Sequence, residues 1–174
     1  MLVVAATERE LALAGGADAL CCGVGPVEAA ARVAASLATA RPDAVLHVGI
    51  AGSRTLEPLT VVLGSIAVYE DLRAAFPVVD HVEPDEALLA RARAWLPDAP
   101  VLPIGTSAAV GGTSRCEVEA MEGFGVLRAC ALAGVPAVEL RVIANSPDEP
   151  DRTKWLFEDA LGVLAATLER LDVL

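Results

Sequence analysis

Six short apolar-rich runs recur along the chain, each giving way to small or polar residues: Leu2 to Ala6, Leu20 to Val24, Ala44 to Val48, Val61 to Asp71, Val101 to Ile104 and Ala137 to Ala144. Stretches with helical character lie between and after them. They are Pro26 leading into Val27 to Thr39, Pro84 to Leu96, Glu119 to Ala133, and about Thr153 to Leu171. A further short helix could begin at Leu11 to Leu13. Strands this apolar need cover on both faces, and β segments alternating with helices give a parallel arrangement with helices on each side. The expectation is an α/β fold: one domain over residues 1–174, with a mixed, mainly parallel central sheet flanked by helices. Only 3% of residues are aromatic against 55% hydrophobic, so Ala, Val and Leu must build the core.

Local signals sharpen this pattern. Gly23-Val24-Gly25 followed by Pro26 is a tight turn into a helix, with proline at its first position. The same stretch resembles half of a dinucleotide fingerprint, but Glu28 stands where the third glycine belongs, and no cofactor is expected. Gly64 sits inside a strand and marks a bulge, and Asp71 to Pro84 reads as irregular. In the last helix Leu156, Ala160, Leu164, Leu168 and Leu171 fall at helical spacing and form a core stripe. Trp155 begins that helix beside the polar loop Ser146 to Arg152, as a stacking surface for a flat ligand or as a packing anchor.

The net charge of −11 argues against nucleic acid, because phosphate backbones require a basic face. No apolar run reaches the roughly 20 residues that span a bilayer. Met1 to Ala6 has no basic flank and is expected to be a first strand rather than a signal peptide. Cys21, Cys22, Cys116 and Cys130 match no metal-ligand spacing and are read as reduced residues of a cytoplasmic protein, with no metal expected. Of the two histidines, His47 falls inside a strand as a core residue and His81 in a loop.

Function points to the carboxyl edge of the sheet, where α/β proteins bind ligands. Three polar residues stand at such positions: Glu10 beyond the first strand, Glu122 in an apolar segment at a helix start, and Asn145 at the end of the last strand. A carboxylate in an apolar segment requires a partner. For Glu122 that partner is either a ligand hydroxyl or a cation, Arg128 or Arg141.

These motifs in this order resemble the nucleoside phosphorylase/nucleosidase superfamily. The matching stretches are Ala6-Thr7-Glu8-Arg9-Glu10, Gly23-Val24-Gly25-Pro26-Val27, Val48-Gly49-Ile50-Ala51-Gly52, Gly64-Ser65-Ile66-Ala67-Val68, Met121-Glu122-Gly123 and Arg141-Val142-Ile143-Ala144-Asn145. The futalosine hydrolase branch, which belongs to a route of menaquinone biosynthesis, is the most similar. It is suggested by Met-Glu-Gly at 121–123, by Asn145 where the methylthioadenosine branch has Asp, and by the tail Asp151 to Trp155. Arg73 to Asp80 and Gly112 to Glu117 are shorter than the family pattern.

The resemblance implies cleavage of the bond between ribose and a purine base, releasing hypoxanthine from futalosine. By motif position, Glu10 activates water, Glu122 accepts hydrogen bonds from ribose hydroxyls, and Met121 packs on the sugar. Asn145 contacts N7 of the leaving base. Ile50, Ala51, Gly52, Thr106 and Trp155 would line the substrate, and Arg141 would hold the geometry. Relatives of this kind are homo-oligomers, dimers or larger. Alternatives are a methylthioadenosine/S-adenosylhomocysteine nucleosidase, a purine nucleoside phosphorylase, or a degenerate member that only binds a nucleoside. A phosphorylase requires cations for phosphate; Arg54 follows the third strand, but Gly25 has no arginine beside it, and Glu10 would repel the anion.

Overall fold

Strand β1 (Leu2–Ala5) lies at the heart of a computed structural model that describes residues 1–12, 18–111 and 115–171. Its neighbours on both sides are parallel, β2 (Asp18–Cys21) and β3 (Val45–Ser53). β3 continues in parallel with β8 (Ala137–Asn145) along its length. From there the sheet turns. β8 pairs antiparallel with β4 (Val61–Tyr69), and β4 pairs in parallel with β6 (Val101–Thr106). β6 runs parallel to β7 (Val118–Ala120), which returns antiparallel to β3 through Gly52–Glu119 and Ser53–Val118. Five strands therefore close into a ring, β3-β8-β4-β6-β7. The two-residue β5 (His81–Val82) edges β4 within the stretch expected to be irregular.

The expectation of a mainly parallel sheet is corrected by this closure: the sheet is mixed and barrel-like, with antiparallel contacts at β3/β7, β4/β8 and β4/β5. Two register shifts accompany the curl, one between Ala51 and Gly52 and one between Gly64 and Ile66, as bulges bend the strands that carry them. The expected helix from Glu119 begins later, at Gly123, because Val118–Ala120 is strand. Val118 and Ala120 join Ala51, Val62, Ile104 and Ile143 in the barrel interior, so Glu119 between them lies on the other face of β7, still buried.

Helices cover both sides. Short α1 (Glu8–Leu11) follows β1, while the expected Leu13 lies outside the described residues, as do Gly112 to Ser114. On one face α2 (Pro26–Thr39) crosses α4 (Gly123–Ala133), with Val33, Leu37, Val126 and Cys130 buried between them and the sheet. On the other face lie α3 (Glu86–Trp95) and α5 (Phe157–Leu171), against Leu46, Val48, Leu140 and Val142. Ala160, Leu164, Leu168 and Leu171 form the expected stripe; Leu156 falls outside it, since Arg152–Lys154 is a separate turn and α5 starts only at Phe157.

The α2/α4 crossing depends on Gly125, where an added Cβ would collide with the backbone carbonyl oxygen of Pro26. Gly162, on the exposed side of α5, faces open space. Gly125→Ala should cost about 1–3 kcal/mol, and Gly162→Ala should gain about 0.5–1 kcal/mol from helix propensity. Urea denaturation of both variants checks the pair; equal effects would contradict the crossing.

Candidate active site

Alternation along β8 separates two environments. Val138, Leu140, Val142 and Ala144 enter the α3/α5 core, so Glu139, Arg141 and Asn145 point the other way. The β3/β8 register sets His47 beside Glu139, Gly49 beside Arg141 and Gly52 beside Asn145. Arg141 is 1% exposed. Its Nε donates to Glu139 Oε1 at 2.8 Å, its Nη2 lies 3.5 Å from Glu122 Oε2, and it also donates to His47 Nε2.

The bond between His47 Nδ1 and the Val4 carbonyl, 3.0 Å, requires a proton on Nδ1. Nε2 is then the acceptor that Arg141 needs, and the ring is neutral. Burial, and after it the Arg141 charge, push His47 well below the usual histidine range. Burial raises both Glu139 and Glu122, with Arg141 pulling each back. Glu122 is also lowered by the Gly25 N–H, which donates to its Oε1 at 3.1 Å, and raised by Glu10 and Glu139. Burial opposes the charge on Arg141, but Glu139 and Glu122 outweigh it and hold the guanidinium above its ordinary value.

Glu10 is held from a different direction. Thr7 and Glu10 form a capping box: Thr7 Oγ1 accepts from the Glu10 N–H, and Glu10 Oε2 accepts from the Thr7 N–H at 3.0 Å and hydroxyl at 2.7 Å. Oε1 accepts from the Ile50 N–H at 3.2 Å. Gly49 makes that approach possible, since an added Cβ would lie 2.7 Å from Glu10 Oε1 and would overlap Arg141 as well.

A cavity of about 380 Å³ opens at the carboxyl ends of β1, β3 and β8. Eight of the ten residues expected at the site line it: Glu10, Ile50, Ala51, Gly52, Met121, Glu122, Asn145 and Trp155. The other two are set behind the wall. Thr106 is fully buried, and its Oγ1 accepts the Phe124 N–H at 2.8 Å, securing the start of α4 next to Glu122. Arg141 reaches the cavity only through Glu122. Trp155 is fixed by its Nε1–H bond to the Glu149 carbonyl and by Phe157, 5.4 Å away, with the Arg152 guanidinium over its ring. It packs as an anchor and lines the cavity.

Several lining residues were not singled out from the sequence, among them Glu119, Arg9, Val110, Pro147, Arg152 and Phe157. For Glu119 a signal existed, the apolar–polar–apolar alternation at 118–120, which is the period of a strand.

A sequence profile described as the Phosphorylase superfamily matches residues 17–173. The chain belongs to the phosphorylase superfamily. Within the phosphorylase superfamily, it is 34% identical over 192 aligned residues to a futalosine hydrolase of Streptomyces coelicolor, covering 91% of this chain and 80% of that protein. Two Helicobacter pylori structures share the fold. One is a futalosine hydrolase mutant at TM-score 0.89 and 18% identity, covering 99% of this chain and 98% of that one. The other is a 5′-methylthioadenosine/S-adenosylhomocysteine nucleosidase with a bound immucillin, at TM-score 0.89 and 17% identity, covering 99% and 97%. The equal scores mean that backbone likeness does not separate the two activities.

Arg141→Met should destabilise the protein by about 3–5 kcal/mol at neutral pH, by stranding buried carboxylates. Without Arg141 nothing cancels the upward push of burial on Glu139, so its folded value rises further above the unfolded one. The penalty is absent below the ordinary carboxylate range, where both states hold the proton, grows as the unfolded carboxylate ionises, and is complete only above the raised folded value. Denaturation at pH 7 and near pH 4 should show the loss shrinking; a loss of the same size at both would contradict ionised partners around Arg141.

Proposed function

We propose that this protein is a nucleosidase that hydrolyses the N-glycosidic bond of futalosine, giving hypoxanthine and dehypoxanthinyl futalosine for menaquinone biosynthesis. The 34% identity to the Streptomyces coelicolor enzyme over most of both chains supports the substrate. The observation that carries the chemistry is the convergence of two buried carboxylates, Glu10 and Glu122, with Asn145 on one cavity.

Hydrolysis passes through a sugar with oxocarbenium character and a base that leaves with negative charge. Glu122 accepts hydrogen bonds from the ribose hydroxyls, and Met121 packs on the ring. Three donors hold the Glu10 carboxylate in one orientation, so it takes the proton of an attacking water without having to reorganise. Asn145 offers N7 of the departing base an amide N–H; unlike a carboxylic acid it has no proton to transfer. A 6-oxopurine leaves more readily than adenine and tolerates that loss, which favours futalosine over a methylthioadenosine substrate. Water rather than phosphate fits the surroundings. The cation after β3, Arg54, is engaged by Asp148 at 3.0 and 3.1 Å, and the cavity carboxylates Glu10, Glu119 and Glu122 would repel an anion. The whole chain acts as one domain, in the cytoplasm. It assembles as a homo-oligomer, a state favoured by exposed Val27 on α2 and Leu132 on the adjacent α4.

Incubation with futalosine, inosine and methylthioadenosine, with and without phosphate, followed by chromatography of the released base, tests the assignment. Hypoxanthine from futalosine without phosphate is expected; a preference for methylthioadenosine would assign the other nucleosidase activity. Glu10→Gln should lower kcat by about 10²–10⁴-fold, the usual worth of a general base. The melting temperature should fall only modestly, because Gln still completes the capping box and loses the Ile50 N–H bond. Unchanged turnover would reduce Glu10 to a cap. Burial raises Glu122, so the ionised form that binds ribose is lost at a higher pH than for an ordinary glutamate. The acid limb of kcat/KM should therefore lie above the usual carboxylate range and move to lower pH in Glu122→Gln.

A further inference from the structure

Glu10, Glu119 and Glu122 are 5%, 6% and 4% exposed, and all three line the cavity. The hydrolysis proposed above uses only the first and third. Glu119 is placed by contacts that lead to the base end. Gly52 of β3 pairs with Glu119 on β7 and with Asn145 on β8. A Cβ added at Gly52 would lie 3.1 Å from Asn145 Nδ2 and 2.9 Å from the Pro147 ring, so both cover that glycine. Glu119 Oε1 accepts the Gly111 N–H at 2.9 Å. Gly111 lies against the same proline, since a Cβ there would stand 2.8 Å from the Pro147 carbonyl oxygen. Glu119, Pro147 and Asn145 thus form one wall, while Glu10 and Glu122 meet around Gly49 and Arg141 at the sugar end.

A base seated there with N7 toward Asn145 presents its six-membered ring to the remainder of that wall. A 6-oxopurine carries a proton on N1; a 6-aminopurine carries a lone pair. We infer that Glu119 selects the base, its carboxylate accepting the N1–H of a 6-oxopurine and rejecting the N1 lone pair of a 6-aminopurine. The inference rests on the nucleosidase assignment and adds a specificity residue to it. An ionised carboxylate only accepts, so an adenine N1 opposite it leaves two acceptors facing each other in a buried site. Sites built around such a bond reject the wrong partner by up to about 10⁴-fold. The bond pushes electron density into the departing base, so it serves selection and not rate.

Glu119→Gln is the test. Its side-chain oxygen can still accept from Gly111, and its NH₂ can donate to an adenine N1. kcat/KM is measured for inosine and adenosine in wild type and variant, with hypoxanthine and adenine binding measured by calorimetry. The expected result is a fall of about tenfold or more in the inosine-to-adenosine ratio, carried mainly by KM, with adenosine gaining. An equal loss on both substrates, or no change, would overturn the inference and leave Glu119 as an anchor for the Gly111 backbone. If wild type releases no base from any nucleoside, the nucleosidase assignment fails by itself. Base binding then decides: a wild-type preference for hypoxanthine that the variant loses supports selection by Glu119, and no wild-type preference overturns it.

Discussion

A single buried guanidinium holds the fold and the site together. Arg141 stands in the middle of β8 among Glu139, His47 and Glu122, with Glu10 close enough to add to its stabilisation. A charge so deep is tolerated only when its donors are matched by acceptors. Matching them fixes several things at once. It holds β8 in register with β3, sets the tautomer of His47, and draws Glu122 to the cavity wall at the start of α4. Gly49 is part of the same constraint, because the backbone of β3 must stay bare for Arg141 and Glu10 to meet over it. The carboxylates that reach the cavity wall are therefore among those whose charges the core has to balance.

Glu10 shows the same economy in a four-residue helix, too short to persist unaided. Its carboxylate closes the capping box that starts the helix and also accepts from Ile50 on the neighbouring strand. Stability and preorganisation are one arrangement here. The bonds that secure α1 also hold the carboxylate at the cavity wall. At the opposite end, Thr106 caps the first turn of α4 from behind and steadies the segment that carries Met121 and Glu122.

Much of this was legible in the sequence because it is local. Apolar runs marked β1, β3, β4, β6 and β8, Gly25-Pro26 marked the start of α2, and polar residues at strand ends marked Glu10 and Asn145. The two expected partners of Glu122, an arginine and a ligand, prove compatible, since its carboxylate touches Arg141 and still faces the cavity. What could not be read is non-local. The ring closes through antiparallel pairs between strands distant in sequence, and β7 has three residues, too few for its period to stand out against the helix that follows. The alternation that marks Glu119 is just as short. Thr106 and Arg141 carry polar groups of the right kind at strand positions, but whether such a residue stands in the wall or behind it depends on the curvature of the barrel.

The central claim is that the buried carboxylates direct water, not phosphate, to the anomeric carbon. The most direct measurement is turnover of futalosine in ¹⁸O-labelled water containing phosphate, with mass spectrometry of the sugar product. The account predicts free hypoxanthine and a sugar carrying one labelled oxygen at the anomeric carbon. An unlabelled sugar 1-phosphate, or no release of base, would contradict it.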